Sequence, residues 1–239
     1  MIATVSQEEL DNHKIVSQQE WLDASAKLVA LEKEWTRRRD ELSKLRRELP
    51  WVRVEKNYVF DGPDGRQTLA DLFDGRSQLI TYHFMSDPNW DEACPGCSLI
   101  ADHMDGANLH LPHDDVTLVV VSRAPHDAFA QYKQRMGWQF PWVSSNGSEF
   151  NYDFGVSFKR ADLDSGDVLY NFKMQTLRGE EQPGVSVFYK NPAGEIFHTY
   201  SSYERGLDIL IGANSYLDMT PKGRNESSTM SWVRRHDEY

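Results

Sequence analysis

The sequence predicts an α/β sandwich preceded by a helical extension. Three observations carry that expectation. The runs "QLITYHF" (78–84) and "VTLVVVS" (116–122) have the length and β-branched content of buried strands. Helix-like segments follow each of them, so this half of the chain alternates β and α. Later, "VSVFYKN" (185–191) and "EIFHTYSSY" (195–203) flank the turn residues "NPAG" as a hairpin.

Ser17 and Glu20 fit a capping box, in which each side chain caps the other residue's backbone N–H. Residues 18–49 contain neither Gly nor Pro, and Pro50 ends the segment. Trp21, Leu28, Trp35, Leu42 and Leu49 recur every seven residues, with Ala24, Leu31 and Leu45 between them and Arg38 breaking the seam. This heptad stripe has two open readings: a helix lying on its own domain, or an arm that joins two copies as a homodimer. Residues 51–60 partly alternate and read as one strand, and "DGPDGR" (61–66) is turn chemistry. "TLADLFDG" (68–75) reads as a short helix or turn.

The loop "MSDPNWDEA" leads from the first central strand to Cys94, and a helix is expected from there to about residue 109. "PHDAFAQYKQRMG" (125–137) reads as a helix with Pro early and Gly at its end. Residues 138–147 suit a short strand and turn, 148–181 an irregular insertion, 206–219 a closing helix and 220–239 a partly ordered tail. The expected organisation is therefore an N-terminal extension (1–50), an α/β domain (51–219) and a tail (220–239).

Composition narrows the function. Hydrophobic residues make up 39%, enough for a core. A net charge of −11 repels both nucleic-acid phosphates and anionic lipid, so neither nucleic acid nor membrane is an expected partner. The N-terminal stretch lacks the basic start, apolar run and small-residue cleavage site of a secretory signal. No apolar stretch approaches the roughly 18 residues of a membrane span. A cytoplasmic location is expected, and there two close cysteines point to catalysis or metal binding rather than a structural staple.

Both cysteines of the chain lie in "DEACPGCS", as Cys94 and Cys97. Cys94, Cys97, His110 and His113 approach a zinc-finger spacing. Only two residues separate the histidines, however, and Pro112 is one of them, so they cannot project from consecutive helix turns. His103 adds a single further ligand, and no metal is expected; His83, His126 and His198 read as structural or surface groups. There is no phosphate loop, dinucleotide fingerprint or Ser/His/Asp motif, and no organic cofactor is expected. The aromatic series Trp138, Phe140, Trp142, Phe150, Tyr152, Phe154 and Phe158 reads as core packing or as the wall of a groove.

A CxxC at a strand-to-helix junction resembles the thioredoxin fold. The phrases "CPGCSLIADHMDG", "MGWQFPWVSSNGSEFNYDFGVSF", "GVSVFYKNPAGEIFHTYSSYERGLD" and "YLDMTPKGRNE" resemble an uncharacterised bacterial thioredoxin-like family, related to the alkyl hydroperoxide reductase/thiol-specific antioxidant group. The resemblance covers roughly residues 10–227. It implies a thioredoxin-like three-layer sandwich and no settled activity. The isolated CxxC at a predicted strand–helix junction, with no other cysteine in the chain, points to a thiol–disulfide oxidoreductase, and the usual assignment in thioredoxin-like proteins makes Cys94 the attacking thiolate and Cys97 the resolving thiol. Such an enzyme takes a protein or small-molecule disulfide as substrate and a reductant that recycles the pair.

Supporting positions follow from the same resemblance. Thioredoxin-like folds place a cis-proline opposite the cysteines, and Pro183 stands at the matching place, with cis and ordinary trans readings both open. The chain departs from thioredoxin at several points. Its spacer is Pro-Gly, Ala93 stands where thioredoxin has Trp, and Trp90 lies four positions upstream of Cys94. Asp91 and Glu92 would raise the pKa of Cys94 if they face it, or one would shuttle a proton. Against the peroxiredoxin pattern Pro-x-x-x-Thr-x-x-Cys, Asp91 stands at the Thr place and Asp87 at the Pro place. Arg123 either lies near the site or is a solvated loop residue. Fold alone does not establish activity, so a non-enzymatic interaction or dimerisation module stands as the alternative, with a thiol-dependent peroxidase behind it.

Overall fold

A computed structural model describes residues 5–239; the first four residues of the N-terminal extension lie outside the described residues. The chain divides into two units, one of residues 1–50 with 216–229, the other of residues 51–215 with 230–239.

The first unit holds α1 (Gln7–Asp11) and α2 (Gln18–Arg47). The Ser17 hydroxyl accepts from the Glu20 N–H at 3.3 Å, and the Glu20 carboxylate accepts from the Ser17 N–H at 3.0 Å. Both orphan donors of the first turn are thereby satisfied. No residue of α2 is buried, and Trp21, Leu28, Trp35 and Leu42 are each more than half exposed. The capping box, the Gly-free sequence and the Arg38–Glu41 and Lys44–Glu48 pairs support the helix locally, each ion pair adding only a few tenths of a kcal/mol.

The second unit is built on an eight-stranded sheet in the order β1-β10-β9-β4-β5-β6-β2-β3. Its elements begin with β1 (Val52–Arg53), β2 (Val59–Gly62), β3 (Gly65–Thr68) and β4 (Gln78–His83). There follow α3 (Pro95–Ala101), α4 (Met104–Asn108), β5 (Val116–Ser122), α5 (His126–Arg135) and β6 (Trp142–Ser144). Next come α6 (Phe150–Asp153), α7 (Arg160–Ser165) and the separate hairpin β7 (Val168–Tyr170) and β8 (Lys173–Gln175). The chain then returns to the sheet with β9 (Gly184–Lys190) and β10 (Ile196–Tyr203), and α8 (Gly212–Leu217) follows.

Strands β4, β5 and β6 run parallel, while β9 lies antiparallel to β4 and to β10. A parallel β/α half joined through its first strand to an antiparallel hairpin, in the order β10-β9-β4-β5, is the thioredoxin-like arrangement. Side chains alternate across the sheet. Tyr82, Leu118, Val120 and Val185 face a core completed by α3, α4 and α5. Leu79, Val119, Val121 and Phe188 face a second core completed by Tyr58, Phe60, Phe73 and Phe150. The sheet thus lies between two apolar layers, as the sandwich expectation requires. On the second face His83, Ser186, Ser201 and His198 form a hydrogen-bonded row with steps of 2.9, 2.9 and 2.8 Å. Burial pushes His83 down to about 3, which keeps it neutral.

Several elements differ from the sequence expectation. The strand expected over 51–60 is split: β1 pairs with β10 at one edge, and β2 pairs with β3 and β6 near the other. Residues 54–58 carry the chain between them, and Tyr58 anchors them by edge-on contact with Phe150 at 5.1 Å. The helix expected from Cys94 to about 109 breaks at Asp102 and His103. There the His103 imidazole donates to the Leu99 carbonyl at 2.7 Å and accepts from the Ala213 N–H at 3.0 Å. The closing helix over 206–219 is a 3-10 segment, Glu204–Leu210, followed by α8. Gly206 and Gly212 weaken a continuous helix, and a side chain at Gly212 would press on His103 at 3.2 Å. The insertion (148–181) has its own α6, α7 and β7–β8 hairpin around Val156, Leu163, Val168 and Tyr170. The aromatic series is divided among three cores, with Trp138, Phe140 and Trp142 in the first, Phe150 in the second and Phe158 in the third.

Candidate active site

The site forms where β4 runs out. The Phe84 N–H still pairs with the Val121 carbonyl at 2.8 Å, and the chain then loops through residues 85–93. The loop is held at Asp87, which is buried, accepts from the Asn89 N–H and side-chain amide at 2.9 Å each, and pairs with Arg123 at 3.4 Å. The Cys94 N–H bonds to the Met85 carbonyl at 3.4 Å and closes the loop.

Cys94 is the N-cap of α3, and Pro95 occupies the first turn, where its missing N–H costs nothing. The Cys94 sulfur accepts from the Cys97 N–H at 3.4 Å, as a capping serine oxygen would. Its carbonyl accepts both the Ser98 N–H at 3.0 Å and the Ser98 hydroxyl at 2.9 Å. The Ser98 hydroxyl also bonds to the Tyr132 hydroxyl at 2.8 Å, which ties α3 to α5.

The two thiols have opposite surroundings. Cys94 is partly exposed, Cys97 is buried, and the pair is 3.6 Å apart without a disulfide. Cys94 is held down to about 6, from an ordinary value of 9.0, chiefly by its hydrogen bond with the Cys97 side chain. The Cys97 and Gly96 N–H groups and the positive charge of Arg235 add to this, against the opposing effect of burial. Burial pushes Cys97 well above the ordinary value, and the neighbouring Cys94 sulfur pushes it further. The Tyr82 phenol is fully buried and eases that rise, although its oxygen makes no hydrogen bond in the resting pair. Because α3 has only seven residues, local N–H groups rather than a long helix dipole favour the Cys94 anion.

The other expected positions separate. Glu92 pairs with Arg235 at 2.9 Å and Arg135 at 3.4 Å, while Asp91 is exposed. Trp90 is 42% exposed, with its N–H on the Asp87 carbonyl at 3.0 Å. Arg123 is not a solvated loop residue. It pairs with buried Glu181 at 2.6 Å and with Asp87, and lies over the Tyr152 ring at 5.0 Å. Its contacts hold the loop leading to Cys94 rather than the thiol itself. Burial pushes Glu181 up to about 7 despite Arg123.

At Pro183 the structure takes the trans reading of the two left open. The described residues contain no cis peptide bond, so the Gln182–Pro183 bond is trans. Pro183 still sits beside the end of β4, because Gly184 pairs with His83. Its carbonyl accepts from the Tyr170 hydroxyl at 2.9 Å. A side chain at Gly184 would meet Val156 at 2.7 Å and the Tyr203 ring at 2.9 Å, which explains the glycine between proline and strand.

The C-terminal residues, read from sequence as a partly ordered tail, contribute the features that sequence reasoning missed. Val233 is buried, and Met230 lies over Gly96, where a side chain would come within 3.1 Å of its sulfur. Arg235 donates to the Ala93 carbonyl at 2.8 Å. His236 pairs with Asp102 at 2.7 Å and Asp237 with Arg135 at 2.6 Å. The one sequence signal for this docking was the apolar pair Trp232 and Val233 in a polar tail. Among the described residues, no group of three or more His, Cys, Asp or Glu side chains could hold a metal ion, and no helix is long and apolar enough to cross a membrane.

Comparison with known proteins gives a family and distant structural likenesses. Peroxidoxin BcpB from Mycobacterium tuberculosis is similar at 12% identity and TM-score 0.46, over 69% of this chain and 94% of that one. A cysteine-to-serine mutant of Xanthomonas campestris Peroxiredoxin Q is similar at 16% identity and TM-score 0.44, over 66% of this chain and 90% of that one. A cysteine-to-serine mutant of the Peroxiredoxin 6 of Arenicola marina is similar at 13% identity and TM-score 0.43, over 68% of this chain and 71% of that one. No curated protein matches the chain. Residues 10–239 match the family described as "Bacterial protein of unknown function (DUF899)", and the chain belongs to that family.

Proposed function

We propose that this protein is a cytoplasmic thiol–disulfide oxidoreductase that works through Cys94 and Cys97. The observation that carries the reading is the asymmetry of the pair. A partly exposed Cys94 sulfur receives the Cys97 N–H at 3.4 Å, and a buried Cys97 thiol waits 3.6 Å away. An attacking thiol needs access and a thiolate near neutral pH, and a resolving thiol needs proximity and protection.

The chemistry balances as follows. The Cys94 thiolate attacks one sulfur of a substrate disulfide, that S–S bond breaks, and a substrate thiolate leaves. Cys97 then loses its proton and attacks the Cys94 sulfur. The mixed disulfide breaks, the second substrate thiol leaves, and the protein holds a Cys94–Cys97 disulfide. Two electrons have passed to the substrate, and a small or protein dithiol returns them by the reverse exchange. The unpartnered Tyr82 hydroxyl is available to donate to the Cys97 anion as it develops.

Reduction of a model disulfide, measured beside hydroperoxide consumption, tests this reading. Cys94→Ser abolishes turnover, and Cys97→Ser leaves a trapped mixed disulfide. Hydroperoxide consumption without disulfide reduction would replace it with a peroxidase. We further propose that α2 pairs with α2 of a second copy, because its exposed stripe repeats every seven residues and matches an identical stripe.

A further inference from the structure

We propose that Arg235 is a positioning residue for Cys94: the C-terminal segment carries its guanidinium against the backbone just before the thiol, where its charge holds the sulfur as an anion. This rests on the reading of Cys94 as the attacking thiolate.

Four observations support it. Arg235 is only 8% exposed, and a buried guanidinium needs charged or carbonyl partners. It has them at two of its nitrogens. Nη1 meets Glu92 at 2.9 Å and Glu238 at 2.8 Å, and Nη2 donates to the Ala93 carbonyl at 2.8 Å. The third nitrogen, Nε, is buried without a hydrogen-bond partner. The polar groups that feel this charge beyond the carboxylates are the Cys94 sulfur and the Tyr132 hydroxyl. Buried polar groups are almost always paired, so a donor left open on a guanidinium that is bonded to the Ala93 carbonyl calls for a role.

The segment is also anchored well enough to hold that placement. Val233 enters the core, Met230 covers Gly96, His236 binds Asp102, and Asp237 binds Arg135 through two nitrogens at 2.6 and 3.0 Å. Arg135 meets Glu92 as well. Glu92, which stands two residues before the thiol, is thus occupied by two guanidinium groups. Of the two acids in front of Cys94, Glu92 is countered in this way, while Asp91 is exposed.

The test reads the pH dependence of Cys94 alkylation by iodoacetamide in the reduced full-length chain, followed on the Cys94 peptide by mass spectrometry. Far-UV circular dichroism and thermal melting run in parallel. Arg235→Met should raise the midpoint by about one pH unit, the low end of what a neighbouring charge does. Arg235→Lys, which keeps the charge, should restore more than half of that shift. A midpoint unmoved in folded Arg235→Met, or equal shifts in both variants, overturns the proposal. If Arg235→Met does not fold, the double variant His236→Ala/Asp237→Asn replaces it. This change releases the segment while Arg235 remains, so the midpoint should rise as proteolysis between 229 and 239 appears. Release without a rise overturns the proposal. A parent midpoint near the ordinary thiol value would instead defeat the reading of Cys94 itself, so the two failures are distinguishable.

Discussion

Arg235, near the end of the chain, hydrogen-bonds to the carbonyl of Ala93, the residue before Cys94, across 142 positions of sequence. A contact of such separation makes the last ten residues part of the site. It also gives the Cys94 environment a source of positive charge that the adjacent sequence lacks.

Cys94 should link stability to pH. Its folded value of about 6 lies below the ordinary 9.0, so between those values the unfolded chain binds the proton that the native chain has released. Stability from this group is present above about 9 and is lost as pH falls through about 6. Denaturation of the reduced protein from pH 5.5 to 8.5 should show an upward slope that Cys94→Ser removes. An identical slope in both proteins would contradict the assignment. Measurements above pH 9 are to be avoided, because Cys97 is shifted the other way and acts there.

Glu181 has the opposite sign. Its folded value, pushed up to about 7 by burial, exceeds the ordinary 4.5. Its contribution is present below about 4.5 and is lost as pH rises through about 7. Glu181→Gln should therefore gain stability relative to the parent as pH rises across that window. A gap that stays constant from pH 4.5 to 7 would show that the carboxylate does not titrate there.

Arg123 should be costly to remove. Arg123→Ala leaves Asp87 and Glu181 buried without their common cation, a change worth about 3 kcal/mol or more by analogy with broken buried pairs. Urea denaturation measures it. A loss below about 1 kcal/mol, the range of exposed pairs, would mean that the network is solvated.

Tyr82→Phe separates stability from chemistry. The change deletes a buried hydroxyl that has no hydrogen-bond partner, so folding stability should be nearly unaffected. Loss of the hydroxyl available to the developing Cys97 anion should slow closure of the disulfide several-fold, as read by rapid quench and alkylation after attack by Cys94. Unchanged closure would remove Tyr82 from the mechanism.

The α2 stripe is tested by charge. Trp35→Glu with Leu28→Glu places acids on the heptad line of an otherwise intact chain. If α2 pairs with its copy, light scattering should show a dimer that becomes a monomer. A mass that does not differ between parent and variant would discard the pairing.

Some of this was legible in sequence, and the reasons are physical. β4 and β5 declared themselves because both of their faces are buried, which demands continuous apolar runs. The α2 cap was legible because Ser17 and Glu20 act within one turn. Cys94 and Cys97 stood out because their chemistry is rare and their spacing local. What escaped depends on distant contacts. The break at His103 is made by the Leu99 carbonyl and the Ala213 N–H, 110 residues away in the second case. The split of 51–60 depends on which sheet edges were vacant. Arg235 carries no mark in "SWVRRHDEY" that separates it from Arg234, and only the fold decides which of the two is buried.

The most direct test of the central claim is the oxidation state of the pair in the intact protein. The reduced chain is treated with a stoichiometric model disulfide, quenched by alkylation and weighed by mass spectrometry. A working dithiol pair should show a loss of two hydrogens, a single Cys94–Cys97 linkage in the peptide map, and full recovery of both thiols by a dithiol reductant. Two thiols that remain alkylatable after the model disulfide, or oxidation of Cys94 that never closes onto Cys97, would contradict it.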